Sequence, residues 1–502
     1  MTTSRDTGID WFIFTGGTLF LLFIVVPVVI APELSAEWID VAFKYLTAQF
    51  GVFYLILAST IFVFLISIAL GPSGRRVLGP PGVKPDHSRF SWASMLFCTG
   101  IGSSLIYWGA VEWAFYINSP PFDVAPGSDE AIVWASSYGI FHWGPVAWSL
   151  YGLPAVAFCC SYHLRQIPVL RLSAACESVL GRQADRWPGR VIDLMFIIGL
   201  LATAATGLAF GTALITSAIT RLTGMEDSFA MQFAIIGLAT GLIAYSVFRG
   251  LNRGIKVLSL INIVLALVLI AFVALAGPSR FILEMGLASL GTIFQNLITM
   301  MTWSDPLERS TFVESWTIFY WAWWLALGPF VGMFVAKISR GKTLREVIFG
   351  MLGWGSLGCA LFFIVLGNYA LDLELSGAYA VAQQALEESP SAAIAAIIEL
   401  LPLGDFWLVF LALIGLVFVA TTYDSAAYTL AAGTTTRLPM DEDPTRKLRV
   451  YWAVLLGILP VVLLYLGGLT IIQTASVVAS IPLLPIYVLL GWSVVRSLRQ
   501  AG

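Results

Sequence analysis

The chain has 502 residues, of which 58% are hydrophobic and 11% are charged, and its formal net charge is -3. A composition this apolar excludes an ordinary soluble protein, because it describes a chain whose main solvent is lipid. The small net charge gives no reason to expect a nucleic-acid partner. Three histidines are too few for a haem or copper oxidase, and the five cysteines lack metal-ligand spacing, so we expect free thiols and no cofactor.

Hydrophobic runs of about 20 residues predict twelve transmembrane helices. The predicted fold is therefore an all-α polytopic membrane protein. An even number of spans places both termini on one side, and 23 of the 27 lysines and arginines fall on that side, which predicts cytoplasmic termini. The predicted spans lie near 11–31, 50–70, 92–116, 132–162, 191–221, 229–247, 255–276, 316–336, 347–370, 404–428, 450–470 and 475–495.

The third predicted span is rich in small residues and reads TGIGSSLIYWGAVEWAFY from Thr99 to Tyr116. Glycine weakens a helix, and a broken backbone in lipid is tolerated only where it lines a cavity. The stretch therefore predicts an unwound segment whose carbonyl groups can bind a cation. Close packing of helices through small residues is the alternative. The small residues of interest are Gly100, Gly102, Ser103 and Ser104.

The fourth predicted span carries a cluster of aromatic residues in the stretch GIFHWGPVAWSLYG, from Gly139 to Gly152. At helical spacing, Trp143, Trp148 and Tyr151 cover an arc wide enough to line a cavity wall, although structural packing is the default for each ring. We expect His142 to be held by a neighbouring carbonyl group, with a role as proton carrier as the alternative.

The eighth predicted span reads WTIFYWAWW from Trp316 to Trp324 and holds four of the 18 tryptophans in nine residues. Trp316, Tyr320, Trp323 and Trp324 share one helical face, and Trp321 lies off its edge. Several ring faces together form a receptor for a cation that donates no hydrogen bonds, such as quaternary ammonium. The alternative is that these rings anchor a helix at the lipid interface.

The tenth predicted span ends in FVATTYDSAAYT, from Phe418 to Thr429. The adjacent hydroxyl groups of Thr421 and Thr422 suit Na⁺, a hard cation that prefers oxygen ligands. Hydroxyl groups in membrane helices also bond to their own backbone, which is the alternative interpretation. Asp424 is a candidate functional residue because a carboxylate is costly in lipid.

These residues resemble the betaine/choline/carnitine transporter (BCCT) family over nearly all of the hydrophobic chain. The resemblance rests on WTIFYWAWW followed by PFVGMFVAKISRGKTLRE, from Pro329 to Glu346. The stretch GIGSSLIYWGAVEWAFYINSPPF is most similar to the carnitine-type branch, whereas betaine symporters tend to have a third glycine where Ser104 stands.

The resemblance implies LeuT-like inverted repeats of five helices, preceded by two N-terminal helices, and a homotrimer. Residues 1–91 would form the N-terminal tail and the two peripheral helices, and residues 92–276 the first repeat. A periplasmic connecting segment would follow at 277–315, then the second repeat at 316–495 and a short cytoplasmic tail at 496–502.

The resemblance also implies the binding residues. The aromatic box would consist of Trp143, Trp148, Tyr151 and Trp324, with Trp323 and Phe115 nearby, and the backbone around Gly100, Gly102, Ser103 and Ser104 would meet the polar end of the substrate. Leu327 stands where the family has a further tryptophan. The Na⁺ ligands would be the hydroxyl groups of Thr421 and Thr422 and the carbonyl groups of Cys98, Ile101 and Phe418.

Sodium-independent carnitine exchangers replace the ion with an arginine from span 7. Here that region reads SLINIVLA, with Asn262 and Ile263 where the arginine would stand. We therefore expect Na⁺ symport of a quaternary-ammonium or related onium compound across the bacterial inner membrane, by alternating access. The nearer alternative is sodium-independent exchange of carnitine and a betaine. A membrane enzyme or sensor acting on lipid is the farther one; it predicts a soluble regulatory domain or a nucleophile with its base, and the sequence offers neither.

Overall fold

The computed structural model describes residues 8–249, 252–436, 438, 442–466 and 469–500. These residues are almost entirely helical, and they include two isolated β-bridges but no β-strand. Within the same ranges, seven helices are long and apolar enough to cross a membrane, or nine if each of two bent pairs counts as one span. The prediction of an all-α membrane protein with many spans is confirmed at this level.

The helices vary widely in length, and several are interrupted by π-helical turns. In chain order the principal helices are Trp11–Ile30, Pro32–Leu70, Arg89–Thr99, Ser103–Asn118, Asp129–His142, Pro145–Phe158, Trp187–Thr223, Phe229–Arg249, Asn252–Ala276, Ser279–Thr302, Val313–Ile338, Leu344–Leu375, Gly404–Gly433, Arg446–Leu466, Leu469–Ser480 and Leu483–Gln500. Shorter helices such as Pro390–Glu399 lie in the connections.

Local sequence accounts for several helix starts. The hydroxyl group of Ser128 accepts a hydrogen bond from the backbone N–H of Ala131 at 3.2 Å, which satisfies a donor in the first turn. Thr343 and Glu346 form a capping box, with reciprocal bonds of 3.1 and 2.8 Å. Pro32 and Pro145 stand in first turns, where the missing N–H costs nothing.

The third predicted span is broken, as its small residues indicate. The helices Arg89–Thr99 and Ser103–Asn118 meet at an angle of 60°, and Gly102 between them is fully extended, with φ -155° and ψ -179°. We call this pair the broken helix. The break places free backbone groups in the interior of the protein.

The fourth predicted span is also interrupted, which the sequence pattern did not predict. One helix ends at His142 and the next begins at Pro145, so Trp143 and Gly144 lie between them. Gly144 is extended, and Pro145 has no N–H with which to continue the preceding helix. Trp143 therefore does not share one continuous helical arc with Trp148, as the spacing predicted. We call Pro145–Phe158 the box helix.

The helix Ser279–Thr302 lies within the stretch 277–315, for which we expected an external connection. It buries one face through residues such as Ile282 and Ser289 and exposes Leu287 and Phe294 on the other. The hydroxyl group of Ser289 lies 2.8 Å from that of Ser136, which ties this helix to the bundle.

Two long helices pack closely on their neighbours, and we name them for their side chains. The tryptophan helix, Val313–Ile338, packs so closely on the box helix that a Cβ on Gly332 would lie 2.8 Å from the backbone nitrogen of Ala155. The hydroxyl helix, Gly404–Gly433, packs on Trp187–Thr223, where a Cβ on Gly211 would lie 2.5 Å from Val419. Such small-residue contacts are typical of packing between helices in membranes.

Candidate binding site

A cavity of about 1360 Å³ lies between the broken helix, the box helix, the tryptophan helix, the hydroxyl helix and Trp187–Thr223. Its aromatic wall is formed by Trp143, Tyr151, Trp323 and Trp324. Along the tryptophan helix the cavity continues from these rings to Lys337, so it opens toward the C-terminal end of that helix.

The aromatic rings at the head of the cavity form a connected set. The centroid of the Trp324 ring lies 4.4 Å from that of Tyr151 and 5.4 Å from that of Trp143. Trp143 also meets Trp323 edge to face at 5.7 Å. We call Trp143, Tyr151, Trp323 and Trp324 the aromatic box. The indole nitrogens of Trp323 and Trp324 have no hydrogen-bond partner among the described residues, so ring packing holds these two side chains in place.

Trp148 supports the aromatic box from behind and does not line the cavity. Its ring lies 5.8 Å from Trp324 and 5.5 Å from Tyr151, and the residue is fully buried. A Cβ on Gly355 would lie only 2.5 Å from the Trp148 ring, and one on Gly100 would lie 2.8 Å from it. The ring therefore packs between two glycines, and one of them, Gly100, lies at the break in the broken helix.

Phe115 lies in a second group of aromatic residues and does not line the cavity. Its ring is 5.3 Å from that of Trp316, and Trp316 in turn meets Trp108 at 5.5 Å and Tyr116 at 4.9 Å. We call Trp108, Phe115, Tyr116 and Trp316 the aromatic plug. Trp316 and Trp324 were expected to share one face, but only the second reaches the cavity, because the cavity begins further along the helix.

The break in the third span forms another section of the same wall. Gly100, Gly102, Ser103 and Ser104 all line the cavity. The hydroxyl group of Ser103 donates to the carbonyl oxygen of Gly207 at 3.1 Å, which fixes the start of the second half of the broken helix. That start has no side-chain cap, and the first N–H groups of a helix lack partners within it. Such a helix start is suited to a carboxylate or hydroxyl group.

The five residues expected to bind a cation line this cavity as well. They are Cys98, Ile101, Phe418, Thr421 and Thr422, from the broken helix and the hydroxyl helix. The Thr421 hydroxyl group donates to its own helix, with Val417 O at 2.9 Å and Phe418 O at 3.2 Å. A hydroxyl group that donates its proton keeps both lone pairs, so this back-bonding leaves the oxygen free to bind a cation.

An ion pair lies on the cavity wall near its opening. Asp424 accepts a hydrogen bond from the guanidinium group of Arg449 at 3.0 Å, and the two side chains are only 13% and 4% exposed. The same guanidinium group lies over the Tyr428 ring, 5.2 Å from its centroid, and Tyr428 donates to Asp443 at 3.1 Å. The sequence singled out Asp424 but not Arg449, which follows 25 residues later in another helix.

The sequence interpretation missed a buried polar cluster beside the aromatic box. Glu112 and His142 are both fully buried, and His142 bonds to the hydroxyl groups of Tyr116 and Thr317, not to a carbonyl group as expected. The signal available in the sequence was an acidic residue, Glu112, within a hydrophobic span.

A helical membrane protein whose broken helix faces an aromatic cavity inside the bundle has the architecture of a membrane transporter. A family model described as "BCCT, betaine/carnitine/choline family transporter" matches residues 12–502. The chain belongs to this family, whose members are transporters and not enzymes.

Curated relatives agree with this assignment. The chain is 34% identical to the "Uncharacterized transporter YeaV" of Escherichia coli, over 83% of this chain and 87% of that protein. It is 32% identical to the "Carnitine transporter" of Acinetobacter baumannii, over 96% of this chain and 88% of the relative. It is also 32% identical to the "Glycine betaine transporter OpuD" of Bacillus subtilis, over 94% and 91%. Relatives of equal identity thus carry different substrate names.

Proposed function

We propose that this protein is a secondary active transporter that imports a quaternary-ammonium or related methylated onium compound, of the betaine, carnitine or choline type, by Na⁺ symport. The observation that carries the proposal is the aromatic box, which lines the same cavity as the broken helix. A methylated cation needs no hydrogen-bond acceptor, and a desolvated cation over a ring gains about 2 kcal/mol. No cofactor takes part in the proposed cycle.

The polar end of the substrate has a counterpart across the cavity. The start of the helix at Ser103 offers backbone N–H groups and the positive end of a helix dipole. A carboxylate or hydroxyl group would bind there while the onium group occupies the aromatic box. Trp148 and Phe115 would act through the rings they pack against. The contact residues are then Gly100, Gly102, Ser103, Ser104, Trp143, Tyr151, Trp323 and Trp324.

Sodium would bind between the broken helix and the hydroxyl helix. Thr421 and Thr422 would supply hydroxyl oxygens, and Cys98, Ile101 and Phe418 would supply carbonyl oxygens. Because the ion would hold the two helices together, it would favour the same closed arrangement as the substrate, and the two affinities would be coupled reciprocally.

Residues of the seventh predicted span favour sodium over the alternative of sodium-independent exchange. Ile263 lines the cavity, and the amide group of Asn262 donates to the carbonyl oxygen of Ile414 at 3.2 Å. Neither residue brings a positive charge to the cavity. The arginine that replaces the ion in sodium-independent exchangers is therefore missing at this position.

We further propose twelve transmembrane spans, with Ser279–Thr302 outside the membrane within the connecting segment 277–315, although this helix is one of the seven that are long and apolar enough to cross it. The two inverted repeats would be 92–276 and 316–495, after the N-terminal segment 1–91 and before the tail 496–502. Both termini would be cytoplasmic, the membrane would be the bacterial inner membrane, and the assembly would be a homotrimer. In support, the broken helix and the tryptophan helix open the two proposed repeats and meet at one cavity.

With this orientation, the structure would correspond to an inward-facing state. Lys337 and Arg449 lie on the cavity wall and belong to regions proposed to be cytoplasmic. The aromatic plug lies at the opposite end of the aromatic box and would close the outer path. Alternating access would then require the plug to separate while the opening near Asp424 and Arg449 closes.

Uptake into proteoliposomes tests the proposal. Radiolabelled glycine betaine, L-carnitine and choline are offered one at a time, with an inward Na⁺ gradient or with K⁺ in its place. We expect concentrative uptake of at least one compound that depends on Na⁺. Uptake that is undiminished without Na⁺ and requires preloaded substrate would instead establish the exchanger, and absence of uptake and binding of all three would reject the onium site.

A further inference from the structure

Glu112 is a fully buried carboxyl group that the proposed aromatic box does not use. It lies in the middle of the helix Ser103–Asn118, inside a span of membrane length. An isolated carboxylate in such surroundings is very costly unless hydrogen bonds or an opposite charge compensate it. The neighbours of Glu112 therefore indicate which charge state the site can hold.

The hydroxyl groups of Tyr116 and Tyr320 donate to the two carboxylate oxygens, one to each. The oxygen of Tyr116 also lies 2.9 Å from Nδ1 of His142, whose Nε2 lies 3.0 Å from the hydroxyl oxygen of Thr317. A phenol has one proton, so a Tyr116 that donates to Glu112 must accept from His142. Neutral His142 then has its proton on Nδ1 and accepts at Nε2 from Thr317.

With an ionised Glu112 this chain of hydrogen bonds carries one negative charge, and it can take up a proton at either of two places, the carboxylate of Glu112 or Nε2 of His142. The lone pair on Nε2 of His142 can be protonated if the Thr317 hydroxyl group rotates and accepts instead of donating. The resulting imidazolium has its Nδ1 only 3.8 Å from Oε1 of Glu112, so the protonated pair is neutral as a whole. The chain of donors toward Glu112 is unchanged by this step.

The net charge of the pair formed by Glu112 and His142 is set by whether the added proton is bound. The titratable groups that face it from the neighbouring helices are the phenols of Tyr116, Tyr138 and Tyr320, with the Tyr138 ring 5.3 Å from that of His142. Among the described residues, no lysine, arginine or second acidic group lies within ion-pair distance of Glu112 or His142.

The cluster is directly connected to the aromatic box. The Tyr320 ring lies 5.9 Å from that of Trp143 and 6.2 Å from that of Trp323, and it stacks on His142 at 4.9 Å. His142 also precedes Trp143 at the interruption of the fourth span. A change in the charge of the Glu112–His142 pair therefore acts one ring away from the proposed position of the onium group.

We propose that Glu112, Tyr116 and His142 form a proton-binding site, and that its protonation opposes binding of the onium group in the aromatic box. Without the added proton the site is negative and stabilises a fixed positive charge nearby; with the proton it is neutral and does not. By linkage, onium binding releases the proton and affinity rises with pH. The linkage to onium binding rests on the proposed function, whereas the proton site itself does not.

The proton site is tested without any substrate, by infrared difference spectra of the reconstituted protein between about pH 5.5 and pH 8.5. We expect a carboxyl or imidazole band that titrates in the wild type and is absent or shifted in midpoint in both Glu112→Gln and His142→Gln. His163→Gln is the matched control, since that ring lies elsewhere, with Nε2 2.8 Å from the carbonyl oxygen of Ala336. Titrating bands that are identical in the wild type, in Glu112→Gln and in His142→Gln would overturn the proposal.

Should His142→Gln fail to fold, Thr317→Val keeps the ring in place and removes the partner of its Nε2. We expect the midpoint of the titrating band to move in that variant. An unchanged midpoint would again overturn the proposal.

The linkage to substrate is tested by tryptophan fluorescence titration with glycine betaine, carnitine and choline at constant Na⁺. We expect affinity to tighten about threefold or more from about pH 5.5 to about pH 8.5 in the wild type and His163→Gln, and to be flat in Glu112→Gln. A flat or falling wild-type profile, or a slope that survives in Glu112→Gln, would overturn the linkage. Absence of onium binding would reject the proposed function, while the infrared titration would still decide the proton site.

Discussion

The indole ring of Trp324 lies over the phenol ring of Tyr151, with centroids 4.4 Å apart and planes inclined by 49°. Trp324 also contacts Trp143 and Trp148, so it is the ring that joins both sides of the interrupted fourth span. Its removal should therefore open the aromatic box and loosen the rings that remain.

Trp324→Leu should lower onium affinity by about 30-fold or more, since one cation–π contact is worth about 2 kcal/mol when desolvated. Fluorescence titration with the transported compound measures this. Trp354→Leu is the matched control, because that indole is 45% exposed and does not line the cavity. Unchanged affinity in Trp324→Leu would remove the basis for the box.

Gly355→Ala should weaken binding although residue 355 does not line the cavity. The new methyl group would lie 2.5 Å from the Trp148 ring, which must then move against Tyr151 and Trp324. We expect a loss of affinity of about tenfold, or about 1.4 kcal/mol. In Gly353→Ala, two residues away, a Cβ meets nothing within 4 Å, so affinity should be that of the wild type. Equal affinities in both variants would contradict the supporting role of Trp148.

Thr421→Val should raise the Na⁺ concentration needed for half-maximal uptake by about tenfold or more, because valine keeps the shape but loses an oxygen ligand. Uptake measured against Na⁺ concentration gives this value. Thr220→Val is the control, since Thr220 does not line the cavity and its hydroxyl group bonds back to Thr216 O, at 2.9 Å. An unaltered Na⁺ dependence in Thr421→Val would place the coupling ion elsewhere.

Asp424→Asn should destabilise the protein by about 3 kcal/mol, because it leaves the largely buried guanidinium group of Arg449 without this anion. Thermal unfolding in detergent measures the change. The control is Arg280→Gln, which removes an exposed pair with Glu284 and should leave the unfolding temperature unchanged. If both variants unfold at the wild-type temperature, the Asp424–Arg449 pair adds no stability.

Some features of the fold could be predicted from local sequence because their causes are local. Gly100 and Gly102 predicted a break, and the helix is bent by 60° there. The hydrophobic runs predicted a polytopic helical protein, which holds, although the second helix begins at Pro32 and not near residue 50. The interruption at Trp143 also had a local signal, the Gly144–Pro145 pair, which the aromatic pattern obscured.

Partners that are distant in the chain could not be predicted in this way. Phe115 and Trp148 have the same aromatic character as Trp324, but one lies in the aromatic plug and the other behind the aromatic box. Which ring reaches the cavity depends on where neighbouring helices cross. That crossing is set by contacts such as Gly332 against Ala155, which lie far apart in sequence.

By itself, the sequence determined that this chain is a membrane protein, that one span is broken, and that aromatic and hydroxyl residues are concentrated in particular spans. These properties follow from hydrophobicity and helical periodicity, which act over neighbouring residues. Only the tertiary structure decided which rings enclose the cavity, and that Glu112 meets His142 and Tyr320. Such contacts depend on packing between helices, which periodicity within a single helix does not specify.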